Sequence, residues 1–169
     1  MRFNSEQIKK IGKEISNKVD GKTLFDEFSR GRYSTDASVY QIKPLGVVLP
    51  KDTNDVLNII EYSQKNSIPL LARGGGSSQC GQTVGESVVL DYSKHQNKIL
   101  DLNVEEKYVW VQPGVVLDHL NSYLKPYGLW FPVDVSTSSR ATIGGMSANN
   151  SCGSRSLFYG NMVHNVLAI

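Results

Sequence analysis

The sequence predicts an α+β fold built as two successive layers: a small parallel βαβ layer, then an antiparallel sheet with flanking helices. Three observations carry this. A strand–helix–strand rhythm runs from residue 45 to 93 and changes its apolar spacing from two to about 3.6 and back. A second pair of β-rich runs, 99–102 and 108–111, brackets a short charged turn in the manner of a hairpin. Finally, helical spacing dominates the N-terminus, where Ile8, Ile11 and Ile15 line one face and lysines with Glu14 the other.

In chain order, residues 5–30 read as one or two helices, with Leu24, Phe25 and Phe28 continuing the apolar stripe after the Asp20-Gly21 turn. "RGRYSTDASVYQ" is polar and irregular, which predicts a segment crossing the surface. "LGVVLP", 45–50, is a short strand ended by Pro50. "DTNDVLNIIEYSQKNS" opens with Asp52 or Thr53 as a helix cap, and Val56, Ile59 and Ile60 form its apolar face. "IPLLAR" and "SVVLDYS" are the next two strands, giving a right-handed βαβ unit in a parallel sheet. The hairpin follows, turning at Glu105 and Glu106. "VLDHLNSYLKPYG" is an amphipathic helix that stops near Pro126 and Gly128.

Composition bounds the function. The chain has 169 residues, 40% of them apolar and 20% charged, as in a soluble globular protein. A net charge of +2 and the lack of a basic cluster argue against nucleic acid. No apolar run approaches the roughly 20 residues of a membrane span, and the N-terminus lacks a signal-peptide core. Cys80 and Cys152 sit far apart, which predicts free thiols in a reducing compartment. His95, His119 and His164 are scattered without ligand spacing, so no metal site is expected in this chain, and His164 is expected at the surface. The chain stops in "VHNVLAI", an apolar stretch rich in β-formers that reads as the start of a buried strand, so it is expected to be part of a longer polypeptide.

Two regions carry the chemistry. "PLLARGGGSSQCGQTVG" places three consecutive glycines directly after a strand. Residues 76–83 miss the P-loop pattern at its lysine, where Gln82 stands, and the third glycine of the dinucleotide fingerprint would fall at Gln79. What remains is a nest of backbone N–H groups for an anion, with Ser77 and Ser78 adding hydroxyl donors. A tight turn without a ligand is the plainer alternative. The second region, "STSSRATIGGMSANN", is almost free of bulky side chains. It lets backbone lie flat against a large planar group, with Gly144 and Gly145 presenting N–H groups to a ring, or else it serves close packing alone.

"PLLARGGGSSQCGQ", "VQPGVVLDHLNSYLKPYGLWFPVD" and "ATIGGMSANNSCGSRSLFYG", in that order and spacing, resemble the FAD-binding domain of the FAD-linked oxidases, the vanillyl-alcohol-oxidase/p-cresol-methylhydroxylase type. Within it they are most similar to the glycolate oxidase, D-lactate and D-2-hydroxyglutarate dehydrogenase branch. The resemblance covers 40–169, leaving 1–39 as an N-terminal helical segment. It implies a domain incomplete at its C-terminus, with subdomains at about 40–95 and 96–169 and FAD extended between them. It also implies that Arg73, Gly74, Gly75, Gly76, Ser77 and Ser78 hold the pyrophosphate, with Gly81 and Gln82 completing the turn. Pro132, Asp134, Val135 and Ser138 belong to a family stretch in which proline is common where Val135 stands. Thr142, Ile143, Gly144 and Gly145, with Ala148 and Asn149, are implied beside the isoalloxazine, and Gly153 near the adenine or pyrophosphate.

Family members with covalent flavin carry a histidine where Ser77 stands, so dissociable FAD is implied. The implied reaction is oxidation of a small D-2-hydroxy acid, with hydride passing to the flavin; the catalytic base and the carboxylate-gripping arginines lie in a later domain, so no catalytic residue is assigned here. "GRYSTDASVY" and "ANNSCGSRS" further resemble large bacterial members with an iron–sulfur module after the flavin domains. The implied location is cytoplasmic, with peripheral association at the inner face of the membrane as a variant. The electron acceptor is not implied. Open alternatives are another oxidoreductase on the same scaffold, of sugar-alcohol oxidase or enolpyruvyl reductase type, and a non-catalytic nucleotide-binding module.

Overall fold

The isoleucine stripe forms the first helix, α1, Ser5–Ser16, in the computed structural model, which describes residues 3–169. Asn4 caps it: its side chain accepts from the Gln7 N–H at 2.9 Å, and the Gln7 side chain accepts from the Asn4 N–H at 2.8 Å. Two compact units follow from the contacts of the chain, Met1–His95 and Gln96–Ile169.

The N-terminal segment is not helical throughout. Lys22–Leu24 is a strand, β1, and not a continuation of the helical stripe. The cause lies in Asp55, whose buried carboxylate accepts from the N–H groups of Asp20 (2.8 Å), Gly21 (2.9 Å) and Lys51 (2.7 Å). Those three bonds pin the Asp20-Gly21 turn beside the sheet, so the chain that leaves it pairs with the next strand. A short helix, α2, Glu27–Arg32, follows, and Phe28 on it points to solvent.

Strands β2 (Gly46–Leu49), β3 (Leu70–Arg73) and β4 (Val88–Asp91) and helix α3 (Thr53–Asn66) complete the unit. The sheet order is β1-β2-β4-β3, with β2, β4 and β3 parallel and β1 antiparallel. β4 thus inserts between the two strands that α3 connects. Asp52 caps α3, as expected. Its inner face is Asp55, Ile59, Tyr62 and Ser63; Ile60 faces out at 46% exposure, because it lies about 100° around the helix from Ile59. Alternation along the strands makes two cores. Val48, Val88 and Leu90 pack with α1 and α3, while Val47, Leu49 and Val89 pack with Leu24, Tyr33 and Leu71. Each fully buried aliphatic side chain contributes on the order of 1.5–3 kcal/mol.

The second unit opens with the expected hairpin, β5 (Ile99–Asn103) and β6 (Tyr108–Val111), antiparallel, with Lys107 left-handed in the turn. Helix α4, Leu117–Leu124, buries Leu117, Leu120 and Leu124 and ends in a 3₁₀ turn at Lys125–Tyr127, closed by left-handed Gly128. Three short helices follow: α5 (Ile143–Ala148), α6 (Ser156–Tyr159) and α7 (Met162–Asn165). The core joins α4, Val133, Ile143, Met146 and Met162 to the inner face of the hairpin. The strand expected in "VHNVLAI" is not formed. Residues 162–165 are a helical turn, because Asn161 and His164 cap it reciprocally, the His164 Nδ1 accepting from the Asn161 N–H at 3.1 Å. No helix among the described residues is long and apolar enough to cross a membrane.

Candidate functional site

The glycine loop leaves the C-terminal end of β3, so a parallel strand aims it outward. Gly76 takes φ +64° and Gly81 φ +72°, the left-handed conformation that glycine adopts without penalty. The main-chain N–H groups of Gly74, Gly75, Gly76 and Ser77 donate to no acceptor among the described residues, and neither does the Ser77 hydroxyl. The N–H groups of Ser78 and Gln79 likewise donate to no acceptor among the described residues, so six successive amides, 74–79, are left for an external acceptor. The Ser78 hydroxyl accepts from the N–H of Cys80 (3.2 Å) and Gln82 (3.3 Å) and donates to Gln82 Oε1 (2.9 Å), so the hydroxyl shapes the turn, while the Ser78 N–H stays unpartnered among the described residues.

Arg73 does its work through the backbone. Its guanidinium donates to the carbonyls of Thr83 (3.1 Å) and Thr35 (2.9 Å) and lies 5.2 Å over the Tyr33 ring. Tyr33 in turn donates to the buried Asp91 carboxylate at 2.6 Å. Burial and that bond hold the Tyr33 hydroxyl well above the usual phenol range, so it stays protonated. The arginine thus spans the mouth of the loop as a brace.

In the second unit, the small-residue stretch is folded on itself. The Gly144 N–H donates to the Pro113 carbonyl (2.9 Å), the Ile143 N–H to Val115 (2.8 Å) and the Gly145 N–H to the Thr142 hydroxyl (3.3 Å), which caps α5. The N–H groups of Gly144 and Gly145 are therefore not free for a ring; what the turn exposes is the flat, side-chain-free surface of Gly145, with Ala148 and Asn149 beside it. Glycine is required at 144, since a Cβ there would sit 2.5 Å from Pro113 Cβ. Ser138 gives its carbonyl to the Asp118 N–H (3.2 Å), and Val135 packs against the core. Half-buried Pro132 leads into Asp134.

Asp134 organises the turn at residues 153–155. Its carboxylate accepts from the Ser154 hydroxyl (2.7 Å) and the Arg155 N–H (3.0 Å), and these bonds hold it below the usual carboxylate range. Gly153 packs directly on Asp134, where a Cβ would strike the Asp134 carbonyl. Among the described residues no group of three or more His, Cys, Asp or Glu could hold a metal ion.

The family described as an FAD binding domain matches residues 44–169. The chain belongs to that family. Its cofactor fits what the glycine loop presents: a run of unpartnered amides from 74 to 79, a left-handed Gly76 and no acidic residue from 73 to 83. Among curated relatives, the chain is 40% identical over 152 residues to D-2-hydroxyglutarate dehydrogenase of Pantoea ananatis, covering 88% of this chain and 15% of that protein. It is 43% identical over 139 residues to D-2-hydroxyglutarate dehydrogenase of Haemophilus influenzae, covering 80% and 14%. It is 36% identical over 157 residues to glycolate oxidase subunit GlcD of Bacillus subtilis, covering 90% and 33%. The chain thus spans about one seventh of the length of the first two. Among solved structures, an alkyldihydroxyacetonephosphate synthase matches with a TM-score of 0.79 at 20% identity, over 98% of this chain and 32% of that one. A p-cresol methylhydroxylase matches with a TM-score of 0.71 at 19% identity, over 89% and 31%. At such identities the likeness establishes the fold, that of the vanillyl-alcohol-oxidase/p-cresol-methylhydroxylase type.

Sequence reasoning missed Tyr33, Asp91 and Pro113 as supports of the site. "GRYSTDASVY" carried a signal, since Asp and Ser in a polar run mark hydrogen-bonded turns.

Proposed function

We propose that this chain is the FAD-binding portion of a flavin-dependent oxidoreductase that oxidises a D-2-hydroxy acid of the lactate, glycolate or 2-hydroxyglutarate type. The observation that carries it is the run of unpartnered amides at 74–77, in a chain 40–43% identical to D-2-hydroxyglutarate dehydrogenases. The amides of Gly74, Gly75, Gly76 and Ser77 bind the diphosphate, with the Ser77 hydroxyl as a further donor and Gly81 and Gln82 closing the turn. Arg73 keeps that turn open by bracing Thr35 and Thr83. In the second unit, the residues assigned to the cofactor are exposed Gly145, Ala148 and Asn149 and the Asp134–Gly153 turn. Bound FAD supplies the hydride acceptor. Ser77 offers no nucleophile suited to a stable flavin link, so the cofactor is dissociable. Cys80 and Cys152 are both free and exposed, which fits the reducing setting of the cytoplasm.

The test uses the full-length protein. Purified protein is expected to carry flavin that acid precipitation releases, and to reduce a dye with D-2-hydroxyglutarate, D-lactate or glycolate. Flavin that is present but reduced by none of the three sinks the substrate class. A folded protein that stays colourless under saturating FAD sinks the cofactor site.

A further inference from the structure

We propose that the segment Thr35 to Tyr40 is a positioning strap for the glycine loop, one that ties both ends of the loop and thereby sets the affinity for FAD. This rests on the placement of the diphosphate at residues 74–77. The strap lies outside the matched family region, which begins at residue 44. Five ties join it to the loop, one of them the Thr83 N–H, which donates to the Asp36 carboxylate at 3.4 Å and is kept in a Thr83 side-chain variant. At the first end, the Arg73 guanidinium donates to the Thr35 carbonyl at 2.9 Å, and the Ala37 N–H donates to the Gly76 carbonyl at 3.1 Å. At the far end, the Asp36 carboxylate accepts from the Thr83 hydroxyl at 3.0 Å, and the Tyr40 ring stands where a Cβ on Gly81 would reach 2.6 Å. The Ser38 N–H, 2.9 Å from the other Asp36 oxygen, fixes that carboxylate. The bonds to Gly76 and Arg73 use a carbonyl and a side chain, so they leave the amide run free.

The physical consequence concerns pre-organisation. A loop of three glycines samples many conformations, and only those with converging amides bind a diphosphate. The apparent dissociation constant is the intrinsic one divided by the fraction of loops in the competent state. Losing one tie lowers that fraction without touching any group that contacts FAD.

Thr83 gives the cleanest test in full-length apoprotein, because Thr83→Val deletes the hydroxyl donor at nearly constant shape and Thr83→Ser restores it. Titration with FAD, followed by flavin fluorescence, should show about fivefold weaker binding for Thr83→Val and binding within about twofold of wild type for Thr83→Ser. The apoprotein melting temperature should move by less than about 2 °C, since the tie is half-exposed. Asp36→Asn, which weakens the same tie from the other side, should raise the dissociation constant by a similar factor. Wild-type FAD affinity in both Thr83→Val and Asp36→Asn overturns the strap. So does a lowered apoprotein melting temperature with unchanged FAD affinity, which is the signature of a purely structural contact. Gly75→Leu separates the two levels: wild-type FAD binding in that variant overturns the diphosphate placement itself, and the strap with it.

Discussion

Gly76→Ala isolates the backbone's part in cofactor binding. Gly76 is left-handed, φ +64°, and a Cβ there would lie 2.6 Å from Arg73 Nη2. The left-handed conformation costs an alanine about 1–2 kcal/mol relative to glycine. The contact adds little if the guanidinium swings away, but Arg73 then gives up its bonds to Thr35 and Thr83. If the variant loop held its native shape with and without FAD, the strain would appear only as lost stability. If the free loop relaxes to a right-handed conformation, FAD must restore the strain on binding, so affinity falls by up to that amount, about 5- to 30-fold. Gly76→Asn discriminates, because asparagine tolerates the left-handed region yet still carries the Cβ. It should therefore recover most of the affinity if backbone strain dominates, and none if the Arg73 contact dominates. FAD titration of the full-length apoprotein reads both variants, with thermal denaturation in parallel. Wild-type affinity together with wild-type stability in Gly76→Ala refutes the reasoning.

Three further outcomes follow from the same geometry. Gly75→Leu should abolish FAD retention while leaving the melting temperature near wild type, because Gly75 is exposed and sits within the amide run; flavin stoichiometry checks it. Gly144→Ala should destabilise the second unit by about 1–3 kcal/mol, since its Cβ meets Pro113 Cβ at 2.5 Å and the Pro113 carbonyl at 2.9 Å, read from the denaturant midpoint. The folded Asp134 carboxyl lies below its ordinary value of 3.8, so its contribution is present above that pH and lost as pH falls through the folded value; the stability gap between wild type and Asp134→Asn should narrow as pH drops below about 4.

Much of the fold was legible because apolar spacing reports it directly. The stripe at Ile8, Ile11 and Ile15, the Asp52 cap and the hairpin at 99–111 follow from local periodicity and turn chemistry. Strand β1 was not legible, since it depends on Asp55, more than thirty residues away, gathering three N–H groups at one turn. Nor was the insertion of β4 between β2 and β3, which no local pattern encodes. The glycine loop announced itself through three consecutive glycines, of which Gly76 takes the left-handed conformation. Its supports did not. That the Ser78 hydroxyl is used within the turn, and that Gly144 and Gly145 spend their N–H groups internally, are facts of hydrogen-bond geometry, which composition does not report.

Amide hydrogen exchange across residues 73–83 of the full-length protein, with and without FAD, reads the proposed grip most directly. Protection of Gly74, Gly75, Gly76 and Ser77 should rise on adding the dinucleotide, because amides that donate to no acceptor among the described residues gain phosphate oxygens as acceptors. Flavin that binds at full stoichiometry while those four amides exchange as fast as before would contradict it.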